Sequence, residues 1–236
     1  MKNVNIFWTG GLDSTCRVLE LSIMHDVEIQ PYYIIIPTRK SSQSEINAIN
    51  NITNIIRKLP NYNGHLNDLK IYKIYEFENY PDIHKGRCNQ KEYKVGYQYS
   101  YCADLCRYLN MQCEVCLENE PTCSGHRSIK HEVVLCENEL DYFIDKQKSP
   151  KNNIYNIFEN ILFPKSIFNM SKKDEIEYIT CINVKILDHI IFCHKLTNGE
   201  LCGECTPCKS YKKLGLFNLF NTGKAMHLES KQFNNL

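Results

Sequence analysis

The 236-residue chain predicts an α/β fold, a parallel sheet flanked by helices on both faces, with a C-terminal segment that carries four clustered cysteines. Three observations predict it. Short apolar runs alternate with stretches of helical periodicity, a glycine-rich turn joins the first strand to the first helix, and cysteines stand at metal-ligand spacing near the end.

Val4 to Trp8 reads as a strand, and Leu12, Cys16, Leu19 and Ile23 then fall on one stripe of a helix. Ile29 to Ile36, "IQPYYIII", is the near-continuous apolar run of a strand buried on both faces. Ile46, Ile49, Ile52, Ile56 and Leu59 form the next helical stripe. Leu69 to Phe77 reads as a third strand, Val95 to Leu109 as a helix and Gln112 to Leu117 as a fourth strand. Residues 119–153 break the rhythm with polar, turn-rich sequence, an insertion or loop. Ser171-Lys172-Lys173-Asp174 fits a capping box before a helix marked by Ile176 and Ile179. Residues 1–189 then form one α/β domain and residues 190–236 a metal-binding segment packed on it.

Composition narrows the classes of function. At 43% hydrophobic residues the chain can bury one sizeable core, and no apolar run approaches the roughly 18 residues of a membrane span. A net charge of +1, with both signs scattered, gives no electrostatic footprint for wrapping nucleic acid. No leader-like apolar segment opens the chain, so a cytoplasmic location is expected. Thirteen cysteines, an odd number, favour reduced thiols and a metal site over a disulfide framework.

The turn Thr9-Gly10-Gly11-Leu12-Asp13-Ser14-Thr15 sits where the first strand ends and a helix begins. In an open parallel sheet this is where an anion binds, because the helix N-terminus offers unpaired N–H groups. Gly10 and Gly11 let the backbone approach it, and Thr9, Ser14 and Thr15 can add hydroxyls. Asp13 suits capping the helix, ordering the loop or helping to hold a magnesium ion. The expected guest is phosphate, although neither the P-loop nor the dinucleotide glycine pattern is present.

Cys193, Cys202, Cys205 and Cys208 follow C-x8-C-x2-C-x2-C, with Gly203 and Pro207 shaping the turns. Four thiolates can close a tetrahedral zinc shell with no open position for substrate. An iron–sulfur cluster and unligated thiols are the alternatives. Cys113 and Cys116 have the spacing of a redox pair, but on a strand their side chains face opposite sides, which favours packing. Cys102 and Cys106, one helical turn apart, also read as core. Cys88, Cys123 and Cys136 take no assignment.

"TGGLDS" resembles the S-G-G-x-D-S signature of the PP-loop ATP pyrophosphatases, of adenine nucleotide hydrolase-like fold, with Thr9 keeping a hydroxyl in place of the first Ser. Together with the C-terminal cysteine pattern it resembles the 7-cyano-7-deazaguanine synthases, QueC-like enzymes. "SKKDEI" adds a similar lysine-containing stretch, with Lys173 at the matching position. The resemblance implies ATP, Mg²⁺ and Zn²⁺ as cofactors and a homodimer. It implies adenylation of a 7-deazaguanine carboxylate and attack by an amine. Asp13, Ser14, Lys173 and Arg39 would be catalytic, and Thr9 to Thr15 with Lys173 would hold the nucleotide.

The chain also departs from that family. Where the synthases carry a stretch resembling "DYGQRH" followed by an acidic residue, this chain has "IPTRKSSQSE", with Arg39 and Glu45 as positional counterparts. "GYQYSY" replaces the expected base-binding stretch, and Tyr97, Gln98 and Tyr99 can stack on and hydrogen-bond a deazapurine there. The divergence is similar to QueC-like proteins of bacterial antiphage systems, which implies a protein amine, encoded nearby, as acceptor. Nitrile synthesis in queuosine biosynthesis, a PP-loop tRNA-modifying enzyme and a non-catalytic nucleotide-binding regulator are the competing expectations.

Overall fold

The computed structural model describes residues 1–79, 95–148, 154–196 and 200–221. Cys88 and parts of the 119–153 and 190–236 segments lie outside them.

β1 (Lys2–Phe7) leads through the glycine turn into α1 (Leu12–Ser22), and β2 (Val27–Ile35) leads into α2 (Ser42–Ile56). β2 is parallel to β1 from Lys2↔Val27 to Phe7↔Tyr32. The third strand expected from sequence is two short ones, β3 (His65–Leu66) and β4 (Lys70–Lys73), and residues 74–76 turn into a 3₁₀ helix. β3 pairs with Glu28 and Ile29, whereas β4 pairs with Tyr32 to Ile35. Pro31 falls between the two paired stretches and has no N–H for a ladder. The Gln30 amide spans the gap, donating to the carbonyls of Pro31 and Asp68.

α3 (Tyr97–Tyr108) precedes β5 (Cys113–Glu114), which pairs with the other side of β1. The polar segment that follows folds into α4 (Ser124–Ile129) and an antiparallel pair, β6 (Val133–Leu135) and β7 (Asp141–Ile144). After α5 (Ile154–Phe158), β8 (Ile161–Pro164) lies parallel to β5 and antiparallel to β7. The order is thus β3-β2-β1-β5-β8-β7-β6, with β4 on β2, in a mostly parallel sheet.

α6 (Lys165–Asn169), α7 (Lys172–Asn183) and a 3₁₀ helix over residues 184–189 return the chain to the sheet, and α8 (Thr206–Lys213) and α9 (Phe217–Asn221) complete it. Alternate residues of the central strands feed two cores. Val4, Ile6, Trp8 and Ile29 pack under α1, α2 and α7, while Phe7, Tyr32 and Ile34 pack with residues of α3 and α5. Cys193, Cys208 and Tyr211 belong to the first core, so the cysteine segment rests on the sheet. Arg17 of α1 grips buried Glu114 of β5 with two bonds, at 2.8 and 2.6 Å, and fixes α1 across the strand where the order reverses.

No helix among the described residues is long and apolar enough to cross a membrane.

Candidate functional site

β2 leaves β1 on one side and β5 occupies the other, so a crevice opens at the carboxyl ends of β1, β2 and β5. A cavity of about 280 Å³ fills it. Thr9, Gly11, Leu12, Asp13 and Ser14 line its floor. Gly11 is the N-cap of α1 and supplies no side-chain cap, so first-turn N–H groups remain for a ligand.

Gly10 and Thr15 support this floor from behind. Gly10 has φ +69°, and a Cβ there would meet Ala48 Cβ and the Glu45 carbonyl, each at 3.2 Å, so glycine permits both the turn and the approach of α2. Its carbonyl accepts the Ile191 N–H, tying the loop to the cysteine segment. Thr15 is fully buried and its hydroxyl accepts the Trp8 indole N–H at 3.0 Å. That hydroxyl serves the fold instead of facing the cavity.

Lys172 is the cation that faces Asp13 across the cavity floor. Its ammonium lies 2.8 Å from Asp13 Oδ1, 3.0 Å from Glu118 Oε1 and 5.1 Å from the centre of the Tyr211 ring. Lys173 is exposed and does not line the cavity. The capping box predicted at Ser171 and Asp174 is present, and the first N–H of α7 also bonds to the Glu120 carboxylate at 3.0 Å. This anchoring turns Lys172 inward. Burial raises the Asp13 carboxyl, but Lys172 and nearby hydrogen bonds outweigh it and hold the group below its ordinary range. Glu118 is pushed up to about 7 by burial and by Asp13, against the pull of Lys172.

On the rim, Arg39 Nε donates to buried Glu45 at 2.8 Å, and Glu45 also accepts from Tyr33 at 2.8 Å and Ser41 at 2.6 Å. Arg39 Nη1 reaches Gln98 at 3.3 Å. Glu45 thus holds Arg39 through Oε1, and Arg39 lines the cavity. Gln98 and Tyr99 line it too, whereas Tyr97 is exposed and does not. Beyond them Phe7, Tyr32, Ile34, Tyr101 and Val115 make an apolar, aromatic slot. Cys102, Cys116 and Cys123 also face the cavity, and burial pushes each thiol up, so they are poor nucleophiles there.

The remaining wall comes from the cysteine segment. Thr206, Pro207, Ser210 and Tyr211 of α8 line the cavity with Phe192 and His194. Phe192 stacks on Tyr211 with centroids 3.8 Å apart, and Ser210 donates to Thr122 at 2.6 Å. His194 is held below its usual value by burial and by Arg39. The ligand atoms of Cys193, Cys202, Cys205 and Cys208 all lie within 4.8 Å of one another, and no other such group occurs among the described residues. Two of the sulfur separations are 3.9 and 4.0 Å. A tetrahedron with metal–sulfur bonds of about 2.3 Å has edges of about 3.8 Å, so the group can hold a metal such as zinc. The backbone N–H groups of Glu204 and Cys205 point at Cys202 Sγ and pull its thiol down to about 6, which favours the ligating thiolate.

Sequence reasoning missed Lys172, Glu118, Phe192, His194, Ser210 and Tyr211 as cavity groups. Only Lys172 carried a sequence signal, since it shares a helical face with Ile176 and Ile179. Compared with protein-family models and with the curated proteins, the chain matches none.

Proposed function

We propose that the protein is an ATP-dependent ligase that adenylates a 7-deazaguanine carboxylate and transfers the acyl group to an amine. The observation that carries this reading is the convergence, in one switch-point cavity, of an uncapped helix N-terminus after Gly10-Gly11 with the oriented guanidinium of Arg39. The first suits a polyphosphate and the second a carboxylate. The aromatic slot beside Tyr99 and Tyr101 suits a flat heterocycle.

A carboxylate resists amines because oxide is a poor leaving group. In the proposed scheme a carboxylate oxygen attacks the α-phosphorus of ATP, the α–β bridging P–O bond breaks and pyrophosphate leaves. The amine nitrogen then attacks the acyl carbon, the bond to the AMP oxygen breaks, and one proton goes to base. The α1 N-terminus and Lys172 stabilise the charge that grows on pyrophosphate. Arg39, held by Glu45, aims the carboxylate.

Mg²⁺ would neutralise charge on the triphosphate. Zinc is the metal proposed for the four cysteines, in a closed structural site. A homodimer completes the proposal, on the resemblance described above.

The test is pyrophosphate release by purified protein given ATP with 7-carboxy-7-deazaguanine, or either alone. Release only with both supports the reading. Equal release without the acid overturns it, as does none with both.

A further inference from the structure

Glu175 has no task in the scheme above, yet its surroundings are chemically demanding. It lies on α7, three residues after Lys172, and is fully buried. Among the described residues, neither of its carboxyl oxygens meets an N–H or O–H donor. The group within hydrogen-bond reach is the carboxylate of Asp13. Around Glu175 stand Asp13 and Cys16 from α1, Cys116 and Glu118 from the segment at β5, Lys172 from α7 and Tyr211 from α8. Lys172 is the cation that acts on Glu175, and its ammonium is already placed on Asp13 at 2.8 Å and Glu118 at 3.0 Å, while Arg17, beside Cys16 on α1, is taken up by Glu20 and Glu114.

An ionised Glu175 would set a third carboxylate around one ammonium, without a donor to solvate it. A buried acid in that position keeps its proton, because the neutral form removes the repulsion and gains an acceptor. We propose that Glu175 is protonated at neutral pH and donates its O–H to the Asp13 carboxylate, as a positioning residue beneath the glycine turn. Burial and the neighbouring Asp13 both push its carboxyl well above the ordinary range, against the pull of Lys172.

Asp13 is then gripped from two sides, by the Glu175 hydroxyl and the Lys172 ammonium, which fixes both its rotamer and its charge. The floor of the cavity also carries less surplus negative charge toward an incoming polyphosphate. This consequence for ATP rests on the proposed function; the protonated pair itself does not.

Two measurements test the inference separately. Infrared difference spectra of wild type against Glu175→Gln at pH 7, without nucleotide, should show a protonated-carboxyl C=O band lost in the variant. Absence of that band in wild type overturns the proposal. Equilibrium ATP binding then tests the positioning role in variants with unchanged circular dichroism. Glu175→Gln, which keeps an N–H donor for Asp13, should bind within about threefold of wild type, and Glu175→Leu should lose about tenfold or more, the worth of one hydrogen bond to a charged group. A Gln variant as impaired as Leu, or a Leu variant that binds like wild type, overturns that role. A wild type that shows the band but binds no ATP instead overturns the ATP reading and leaves the pair standing.

Discussion

Lys172 and Lys173 are neighbours in sequence with separate surroundings, and the helix explains the separation. A step of one residue turns an α-helix by about 100°, so Lys172 shares the face of Ile176 and Ile179, whereas Lys173 points away. Lys172→Ala should therefore lower ATP-dependent pyrophosphate release about a hundredfold, and Lys173→Ala should stay within about twofold. Because Lys172→Ala also strands the carboxylates of Asp13 and Glu118, ATP affinity is measured on protein whose circular dichroism matches wild type. A damaging Lys173→Ala beside a harmless Lys172→Ala would overturn the assignment. At this scale the sequence made Thr9, Gly11, Asp13 and Ser14 legible as cavity residues, because a turn from the first parallel strand into a helix lies at the carboxyl edge of the sheet. Thr15 belonged to the same motif, but its hydroxyl meets Trp8, a contact decided by side-chain direction within the turn. Glu118 and Tyr211 reach Lys172 only through the fold, and no local pattern marks them.

The cysteine segment acts as an element because its ligands sit next to the residues that wall the cavity. Cys193 follows Phe192, and Cys208 precedes Tyr211 by three residues on α8, so holding the sulfurs together also holds the stacked aromatic pair. Purified protein should carry about one metal ion per chain by elemental analysis, with zinc as the proposed metal. Cys205→Ser should lower that content and the thermal midpoint together, since metal binding is part of the folding free energy. Unchanged metal content and midpoint would remove the structural-metal assignment. The capping box at Ser171 and the two-residue cysteine gaps were legible because each is a short-range geometry. The split of the third strand was not read, although its cause, Pro31, lies inside a run that otherwise reads as one buried strand. The β6–β7 pair was hidden for another reason. Its strands are only three and four residues long, too short for alternation to stand out from the surrounding turn sequence.

For the whole molecule, alternating strand and helix patterns with a glycine turn after the first strand sufficed to place a cavity at the carboxyl ends of the sheet. What they left unread is the acceptor of the proposed reaction, because the wall of the cavity is assembled from α3, the segment after β5 and α8, distant in sequence. Arg39 offers a way to decide it. If its guanidinium holds the substrate as a carboxylate, the charge-assisted bond is lost once the product is a neutral amide. An amide formed from ammonia then has a weakened hold and leaves before a second activation, whereas nitrile synthesis requires it to stay and be activated again. A bulky amine needs only one turnover, and its amide is the end product. Wild type given ATP, 7-carboxy-7-deazaguanine and ammonia should therefore yield mostly primary amide with little nitrile. The same reaction supplied with the protein encoded beside this gene should yield a mass adduct equal to the acid minus one water. Mass spectrometry distinguishes the three products. Efficient nitrile formation without any adduct would show that the neutral amide is retained, and would return the chain to the chemistry of the synthases it resembles.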